Sequence, residues 1–355
     1  MRSSLCEPFD SHPVAPSLYQ NPSGTDVKAA GVARWTFQRL RDGLPRPPQT
    51  PLCGVAPDVA FLHANRTVPS ITWIGHASLL LQIAGRNILI DPVFSRRVSP
   101  VSFAGPKRHQ PPGLSLAQLP DIDVLLISHN HYDHLDRPSV CGVYQRQSTP
   151  PTTIVPRGVD AWFGRHVPRA IAAGVARTVH GLEWGEHFRI PTDTGDLEFH
   201  FRPVQHWSSR SALRRNDTPW GSWAIVHPEF RFWYSGDLGY SDDPKRIGEE
   251  FGGFDFAAIG IGAYEPRWFM QPQHVNPTEA VQVMLDVGAA AAIGVHWGTF
   301  PLSDESLDVP PRELAEAVAA RGLPAERFTV MRHGETRLLK SARREPSTAL
   351  SASPS

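Results

Sequence analysis

Short runs of apolar and β-branched residues recur along the chain from residue 70 onward, and each is bounded by glycine, proline or aspartate. This pattern is typical of β-strands. The predicted strands are 71–74, 78–83, 87–90, 122–127, 197–204, 223–227, 230–235, 256–261 and 290–295.

Helical patterns appear at three places. Asn276-Pro277-Thr278-Glu279 predicts a helix start, with asparagine as the N-cap and a stop at Gly288, and a second helix is predicted from about Pro311 to Gly322. The stretch 28–41 predicts a helix with an apolar and a basic face; the apolar residues are Val32, Phe37 and Leu40, and the basic ones are Arg34, Arg39 and Arg41. This helix either docks on the core or lies on a membrane surface.

A sequence rich in predicted strands, with helices between them, indicates a layered α/β protein whose sheets are covered by helices. The 355 residues carry 35 Lys+Arg and 35 Asp+Glu, so the formal net charge is zero apart from histidine. A neutral chain has no sequence-wide field for phosphate backbones, which argues against a dedicated nucleic-acid-binding protein.

The three cysteines, Cys6, Cys53 and Cys141, form no C-x-x-C pair and predict neither a disulfide framework nor a thiolate metal site. The N-terminal text lacks the apolar region of a signal peptide, and the sequence contains no uninterrupted apolar run of about 18 residues. These features predict a cytoplasmic protein without a spanning helix.

The segment Ser128 to Asp136 (SHNHYDHLD) directly follows the apolar run 122–127 and holds three histidines and an aspartate within six residues. Imidazole and carboxylate are the ligand types that zinc and its first-row neighbours accept. Three later strand-like runs also end on such a residue, at His206, Asp237 and His296. Because ligands gather at the carboxyl ends of strands in open α/β sheets, these four ends predict one metal site.

H-x-H-x-D-H followed by a distant histidine, a Gly-Asp and a final histidine resembles the metallo-β-lactamase superfamily, and within it the N-acylphosphatidylethanolamine-hydrolysing phospholipase D family. The resemblance covers about residues 70–340. Its further matching segments are Ile74-Gly75-His76-Ala77, Asp91-Pro92-Val93-Phe94, Gly105-Pro106-Lys107-Arg108, Gln205-His206-Trp207, Trp220-Gly221-Ser222-Trp223, 262–270, Gln273-His274-Val275, His296-Trp297-Gly298-Thr299-Phe300 and His333-Gly334-Glu335.

The resemblance implies an αββα sandwich of two mixed sheets flanked by helices, and two zinc ions per chain. It assigns His129, His131 and His206 to one zinc, Asp133, His134 and His296 to the other, and Asp237 to both. Asp133 has an alternative role, orienting a ligand histidine from outside the metal shell. Asp136 is expected to take that outer role, and His76 either does so too or is a core histidine.

The implied reaction is cleavage of N-acylphosphatidylethanolamine to N-acylethanolamine and phosphatidic acid by a hydroxide that bridges the metals, with Asp133, Asp237 and His274 as catalytic residues. Residues expected to contact the substrate are Tyr132, Gln273 and His274, and Tyr264 and Trp268 either line an acyl-chain channel or are ordinary core aromatics. The implied lipid substrate, the amphipathic stretch 28–41 and the lack of a spanning helix lead us to expect peripheral membrane association. The resemblance further implies a homodimer.

These implications divide the chain into an N-terminal segment at 1–69, docked on or near a catalytic domain at 70–340, and a disordered tail at 341–355. One alternative function is hydrolysis of a soluble phosphodiester, a lactone, a thioester or RNA at the same centre, since a fold alone does not choose the substrate. Another is a metal-bound structural or sensing protein without turnover. All seven ligand positions carry residues that can bind a metal, which argues against a protein without turnover.

Overall fold

Strands form most of the framework in the computed structural model, which describes residues 19–22, 30–43, 47–48, 52, 54–211 and 214–341. Cys6, Cys53 and the predicted tail after residue 341 lie outside the described residues. The strands are β1 (Ser70–Gly75), β2 (Ser78–Ile83), β3 (Arg86–Ile90), β4 (Val124–Leu126), β5 (Thr152–Pro156), β6 (Val179–Leu182), β7 (His187–Thr192), β8 (Gly195–Arg202), β9 (Ser209–Ser211), β10 (Arg214–Arg215), β11 (Ser222–His227), β12 (Phe230–Tyr234), β13 (Phe256–Gly260), β14 (Ala292–Val295), β15 (Phe328–Val330) and β16 (Thr336–Leu338).

Ten α-helices accompany these strands in the described part of the chain. They are α1 (Ala30–Asp42), α2 (Val59–Ala64), α3 (Arg137–Arg146), α4 (Val159–His166), α5 (Pro168–Ala173), α6 (Val175–Thr178), α7 (Asp243–Phe251), α8 (Arg267–Met270), α9 (Pro277–Asp286) and α10 (Pro310–Ala320). Two 3-10 turns, Leu116–Gln118 and Ala325–Arg327, complete the set. No described helix has both the length and the apolar character needed to cross a membrane.

The strands pair into two seven-stranded sheets, ordered β16-β1-β2-β3-β4-β5-β6 and β15-β14-β13-β12-β11-β8-β7. In each sheet four strands pair antiparallel and the remaining pairings are parallel. Both sheets are therefore mixed, as the resemblance implied. The β9–β10 hairpin stands apart from them.

Alternating strand residues build two apolar layers. Leu79 and Leu81 face the second sheet and join its Phe199, Phe201 and Trp223 in the central core. Between them in the strand, Leu80 faces the other way and packs with side chains of α2, α3 and α4. The predicted sandwich follows from this two-sided burial, since strands such as β2 have helices on one face and the second sheet on the other.

Every predicted strand overlaps an observed one, and both C-terminal helices form close to the predicted bounds. At α9, the Asn276 side chain accepts from the Glu279 backbone N–H and the Glu279 carboxylate accepts from that of Asn276, which is a complete capping box. The strands that the pattern missed include β7, whose residues alternate between exposed and half-buried. Such an edge strand has too few apolar residues to stand out in sequence.

Helix α1 docks on the protein, but through a different face from the predicted one. Gly31 and Trp35 meet α8, where the Trp35 ring stacks on Phe269 with centroids 4.9 Å apart. Arg39, expected on the outer basic face, pairs with Asp304 at 2.8 Å. Val32, Phe37 and Leu40 are exposed instead. The spacing of apolar residues in the sequence predicted the helix correctly. The face that docks is set by the stacking of Trp35 on Phe269 and by the partly buried Arg39–Asp304 ion pair.

Candidate metal centre

Six strands of the two sheets end beside one another and are followed by residues with metal-ligand chemistry. Strands β1, β3 and β4 run in one direction within the first sheet, and β8, β12 and β14 do so within the second. The residues that follow these strands are His76, Asp91, His129, His206, Asp237 and His296. The predicted convergence of four strand ends is therefore seen, and it extends to six.

One group of ligand atoms comes from both sheets. The His129 Nε2 and His131 Nδ1 atoms are 2.9 Å apart, and His206 Nε2 is 3.4 Å from His131 Nδ1. Together with Asp237 they form a set whose ligand atoms all lie within 4.8 Å of one another. Three imidazoles and a carboxylate are a donor set typical of zinc sites.

A second group lies alongside the first. Asp133 Oδ2 is 3.1 Å from His76 Nε2, 3.3 Å from His296 Nε2 and 3.7 Å from His134 Nε2. These four side chains also bring one ligand atom each to within 4.8 Å of the others. His76, which was expected either to support a ligand or to be a core histidine, thus touches Asp133 directly.

Asp237 connects the two groups. Its Oδ2 atom is 3.1 Å from His134 and 3.2 Å from His296 in the second group, and 3.8 Å from His129 and 3.7 Å from His206 in the first. His134 Nε2 is buried and makes no hydrogen bond with any described residue. A cation between these atoms would satisfy the lone pair of the imidazole and the charge of the carboxylate, so the side chains fit a metal.

Burial and mutual charge set the protonation of these groups. Burial lowers the pKa of His129 well below its usual value, that of His131 to about 4 and that of His206 to about 3, so these rings are neutral, as ligands must be. Burial acts against charge on His134 and His296 as well. There the facing carboxylates outweigh it, raising the pKa of His134 well above its usual value and that of His296 to about 9.

The outer nitrogens of three ligand-type histidines have fixed partners. His129 Nδ1 is 2.9 Å from Ser128 Oγ, His206 Nδ1 is 2.9 Å from the Gln273 carbonyl, and His134 Nδ1 is 2.7 Å from Asp91 Oδ2. Such contacts select the tautomer that turns the other nitrogen toward a metal.

The expectation for Asp136 was wrong, because this residue supports a helix and not a ligand histidine. Its carboxylate accepts from the Ser95 hydroxyl and from the hydroxyl and backbone N–H of Ser139, as the N-cap of α3. The outer role belongs to Asp91, which also accepts hydrogen bonds from Ser128 and from the Tyr234 hydroxyl. Asp91 carried the same strand-end signal as the metal ligands, directly after Ile90.

Three non-glycine residues at these strand ends have left-handed backbone conformations. They are His76 at φ 53°, Asp91 at φ 40° and His296 at φ 62°. Each such residue costs roughly 1–3 kcal/mol and persists only where its surroundings enforce it. Backbone strain is thus concentrated where side chains of ligand chemistry turn inward.

Arg210, which sequence reasoning missed, closes the loop 129–136. Its Nη1 donates to the carbonyls of Asn130 at 2.9 Å and Leu135 at 2.7 Å, and its guanidinium lies 4.1 Å from the Tyr132 ring centroid. In return the Tyr132 hydroxyl donates to the Arg210 carbonyl. Tyr132 and Arg210 also line a cleft of about 560 Å³ whose lining includes none of the ligand residues described above. The substrate-facing position of Tyr132 stays a prediction.

The remaining residues assigned to the substrate take different positions. His274 is half-buried at the centre, with its ring 5.2 Å from that of His206 and 5.3 Å from that of His296. Gln273 is buried and its side-chain oxygen accepts from Trp207, so it supports the site from behind and does not face a substrate. Tyr264 is buried and its hydroxyl donates to Glu313, which favours the second of its two expected roles, that of a core aromatic. Trp268 is exposed beside α1.

Residues 86–297 match the model of the beta-lactamase superfamily domain. The chain is 41% identical over 252 residues to N-acyl-phosphatidylethanolamine-hydrolyzing phospholipase D 1 of Caenorhabditis elegans, a match covering 70% of each chain. The protein belongs to the N-acylphosphatidylethanolamine-hydrolysing phospholipase D family. The mitochondrial enzyme of that name from Saccharomyces cerevisiae is 34% identical over 254 residues, covering 71% of this chain and 52% of the yeast one.

The solved structures agree with this family on the fold. Isothiocyanate hydrolase from Delia radicum gut bacteria superposes with a TM-score of 0.58 at 18% identity, covering 77% of this chain and 100% of the other. The predicted metallo-β-lactamase fold and the predicted family are therefore confirmed. This family member is a metal-dependent hydrolase.

Asp91 and Asp136 provide a matched pair of buried carboxylates. We expect Asp91→Asn to weaken metal binding about 10–100-fold, because the charge that orients His134 is removed. Asp136→Asn should retain metal and keep most of its stability, because asparagine caps a helix about as well as aspartate does. Metal content after dialysis against a graded chelator series, with urea unfolding of each variant, measures both effects. Equal metal retention by Asp91→Asn and the wild type would contradict the role of Asp91.

The histidines predict how the stability of the metal-free protein depends on pH. Some histidines have a lowered pKa in the folded protein, including His131 at about 4 and His206 at about 3. Their contribution to stability is fully present above pH 6.5, the pKa of an unfolded histidine, and is lost as the pH falls below it. His296, raised to about 9, contributes stability that is complete below 6.5 and is lost as the pH rises through 9. We expect maximal thermal stability near pH 6.5, and a flatter alkaline side with metal bound. A melting temperature of the chelated protein that still rises between pH 7 and 9 would contradict this.

Proposed function

We propose that the protein is a zinc-dependent phosphodiesterase of phospholipase D type, which hydrolyses N-acylphosphatidylethanolamine to N-acylethanolamine and phosphatidic acid. The observation that carries the proposal is the pair of ligand groups joined by Asp237 Oδ2. Two relatives named for this activity, at 41% and 34% identity, support the substrate class.

The donor sets support zinc as the metal, at two ions per chain. Imidazole nitrogens from His129, His131 and His206 would hold one ion, and Asp133, His134 and His296 the other, with Asp237 shared. Two zinc ions there would supply hydroxide at neutral pH and neutralise charge on the phosphate oxygens. The protein would then have to orient the substrate and exclude bulk water from the site, and it would need no nucleophilic side chain.

His274 is suited to contact the substrate phosphate. Burial lowers the pKa of its imidazole to about 3, so the ring is neutral and offers one N–H donor without an added charge. It lies against both ligand groups, as its contacts with His206 and His296 require. A neutral donor at this place can orient a phosphodiester while leaving charge neutralisation to the metal centre.

Helix α1 is suited to contact a lipid surface, and this supports peripheral membrane association. Phe37 is 65% and Leu40 81% exposed, on the face turned away from the α8 contact. Two arginines lie near them on the helix: Arg41, which is paired with Asp42, and Arg34, which lies over the Trp268 ring. Apolar residues beside arginines are the pattern of an interfacial helix. Assembly as a homodimer stays a prediction of the family resemblance.

The activity is tested with purified, zinc-loaded protein and N-acylphosphatidylethanolamine in mixed micelles, with the products identified by mass. We expect N-acylethanolamine and phosphatidic acid in equal amounts. His129→Ala should lower the rate at least about 10³-fold, because it empties a metal position. His274→Gln should retain both metals and lose rate through the lost phosphate contact.

A panel of soluble phosphodiesters, lactones and thioesters accompanies this assay. Suppose that protein holding two zincs turns over one of these compounds and releases no N-acylethanolamine. The proposed lipid substrate would then be wrong, while the assignment as a hydrolase would stand. Absence of turnover on every member, with two zincs bound, would favour a metal-bound structural or sensing protein.

The membrane contact predicts a difference between vesicles and micelles. Phe37→Ser combined with Leu40→Ser should reduce co-sedimentation with phospholipid vesicles and vesicle turnover several-fold, while leaving micelle turnover unchanged. Leu338→Ser, at another exposed apolar position, is the matched control and should change neither. Undiminished vesicle binding by the double variant would exclude α1 as the contact.

A further inference from the structure

The motif His333-Gly334-Glu335 has no role in the reaction proposed above, yet its histidine is buried directly behind the metal centre. The His333 ring lies 4.2 Å from the Trp73 ring, and Trp73 in turn stacks on Trp297 at 5.1 Å. Trp297 adjoins the ligand-type residue His296. His333 is therefore packed into the layer that supports the ends of β1 and β14.

A continuous chain of hydrogen bonds runs from His333 to the centre. His333 Nε2 is 3.0 Å from Thr299 Oγ1, and the same hydroxyl oxygen accepts from the His76 backbone N–H at 2.8 Å. The His76 carbonyl then accepts from the His296 backbone N–H at 3.0 Å and from Trp73 Nε1 at 2.9 Å. Both polar groups of the His76 backbone are thus held.

The two backbone turns that these hydrogen bonds hold, at His76 and His296, are two of the three strained ones at the strand ends. His76 and His296 both have positive φ, at 53° and 62°, and both direct Nε2 at Asp133 in the second ligand group. Strained turns of this kind relax unless their surroundings fix them. The contacts of Thr299 and Trp73 supply that restraint for the His76 turn, and the His296 N–H joins the second turn to the first.

We propose that His333 and Thr299 are positioning residues, which hold the His76 and His296 turns and thereby set the metal affinity of the second ligand group. The inference rests on the proposed binuclear centre. It concerns the second ligand group, that of His76, Asp133, His134 and His296. In the first group, His129 and His206 have separate supports in Ser128 and Gln273.

Two further observations fit this role. Burial, with the positive charge of Arg108 beside it, lowers the pKa of His333 to about 3, so the ring is neutral and its hydrogen bond persists across the working pH range. A Cβ at Gly75 would lie 2.7 Å from His333 Cδ2. The turn before His76 is therefore built around the imidazole, with glycine needed for the close approach.

The test measures metal binding without substrate. Wild-type protein and variants are equilibrated in zinc buffers of graded free concentration, and the zinc held per chain is counted. We expect Thr299→Val, which keeps the shape and removes the hydroxyl, to weaken one of the two zincs about 10–100-fold and leave the other unchanged. Thr299→Ser keeps the hydroxyl and should restore both.

The control is Thr153→Val, which removes another buried hydroxyl, bonded to Tyr144 at 2.7 Å on β5. It should lower the melting temperature and leave both zinc affinities at wild-type values. His333→Phe provides a second route, since it keeps a ring on Trp73 and loses the hydrogen bond, and it should repeat the selective loss even if Thr299→Val fails to fold.

Wild-type affinity for both zincs in folded Thr299→Val or His333→Phe would overturn the inference and leave the proposed function intact. Equal weakening of both zincs would also overturn it, because the effect would be general. A wild-type protein that binds fewer than two zincs would instead refute the binuclear centre itself. Lipid turnover does not enter these outcomes, so the two proposals fail separately.

Discussion

The carboxylate of Asp237 is the group on which the rest of the site depends. A buried charge is costly unless it is paired, and this one lies within 3.8 Å of four imidazoles from three different chain segments. These segments belong to both sheets, so the sheets must pack with their strand ends in register. The central core, with Phe201 and Trp223 against Leu79 and Leu81, fixes that packing. The packed apolar core thus provides a rigid frame that offsets the cost of burying charged groups close together.

The same frame bears the backbone strain. His76, Asp91 and His296 each turn sharply where a straight strand would carry the side chain past the centre. Their supports come from opposite parts of the chain: Asp91 is tied to Tyr234 of the second sheet, and His76 to Thr299 beyond β14. The two sheets therefore enforce each other's turns. This reciprocity explains why so many polar side chains are fully buried at one edge of an otherwise apolar sandwich.

The sequence pattern predicted nine of the strands and the meeting of His129, His206, Asp237 and His296, because strand direction brings these strand ends to one edge. The sandwich and the division of the ligands into two groups came from the family resemblance, which left His76 out of the second group. Sequence reasoning failed where hydrogen-bond geometry decides. Asp136 is three residues from Asp133 but caps a helix, while Asp91, distant in sequence, reaches His134. Arg210 donates hydrogen bonds to carbonyls of the loop 129–136. The residues around Arg210 in the sequence give no sign of this contact. Spacing along a strand predicts direction, whereas the partner of a buried polar atom depends on the assembled tertiary structure.

The segment from α8 to α9 links the surface of the protein to the metal centre. Phe269 of α8 stacks on Trp35 of α1, and four residues later the Gln273 carbonyl holds the Nδ1 atom of His206. His274 follows at the centre itself. The helix with the exposed Phe37 and Leu40 and the histidine suited to the phosphate are therefore supported by one short piece of chain. The segment from His296 to Asp304 makes a similar link, because the Asp304 carboxylate accepts hydrogen bonds from Trp35 and Arg39 of α1. Under the proposed function, a lipid substrate would be distinguished from a soluble one where these two segments join the outer helix to the metal centre.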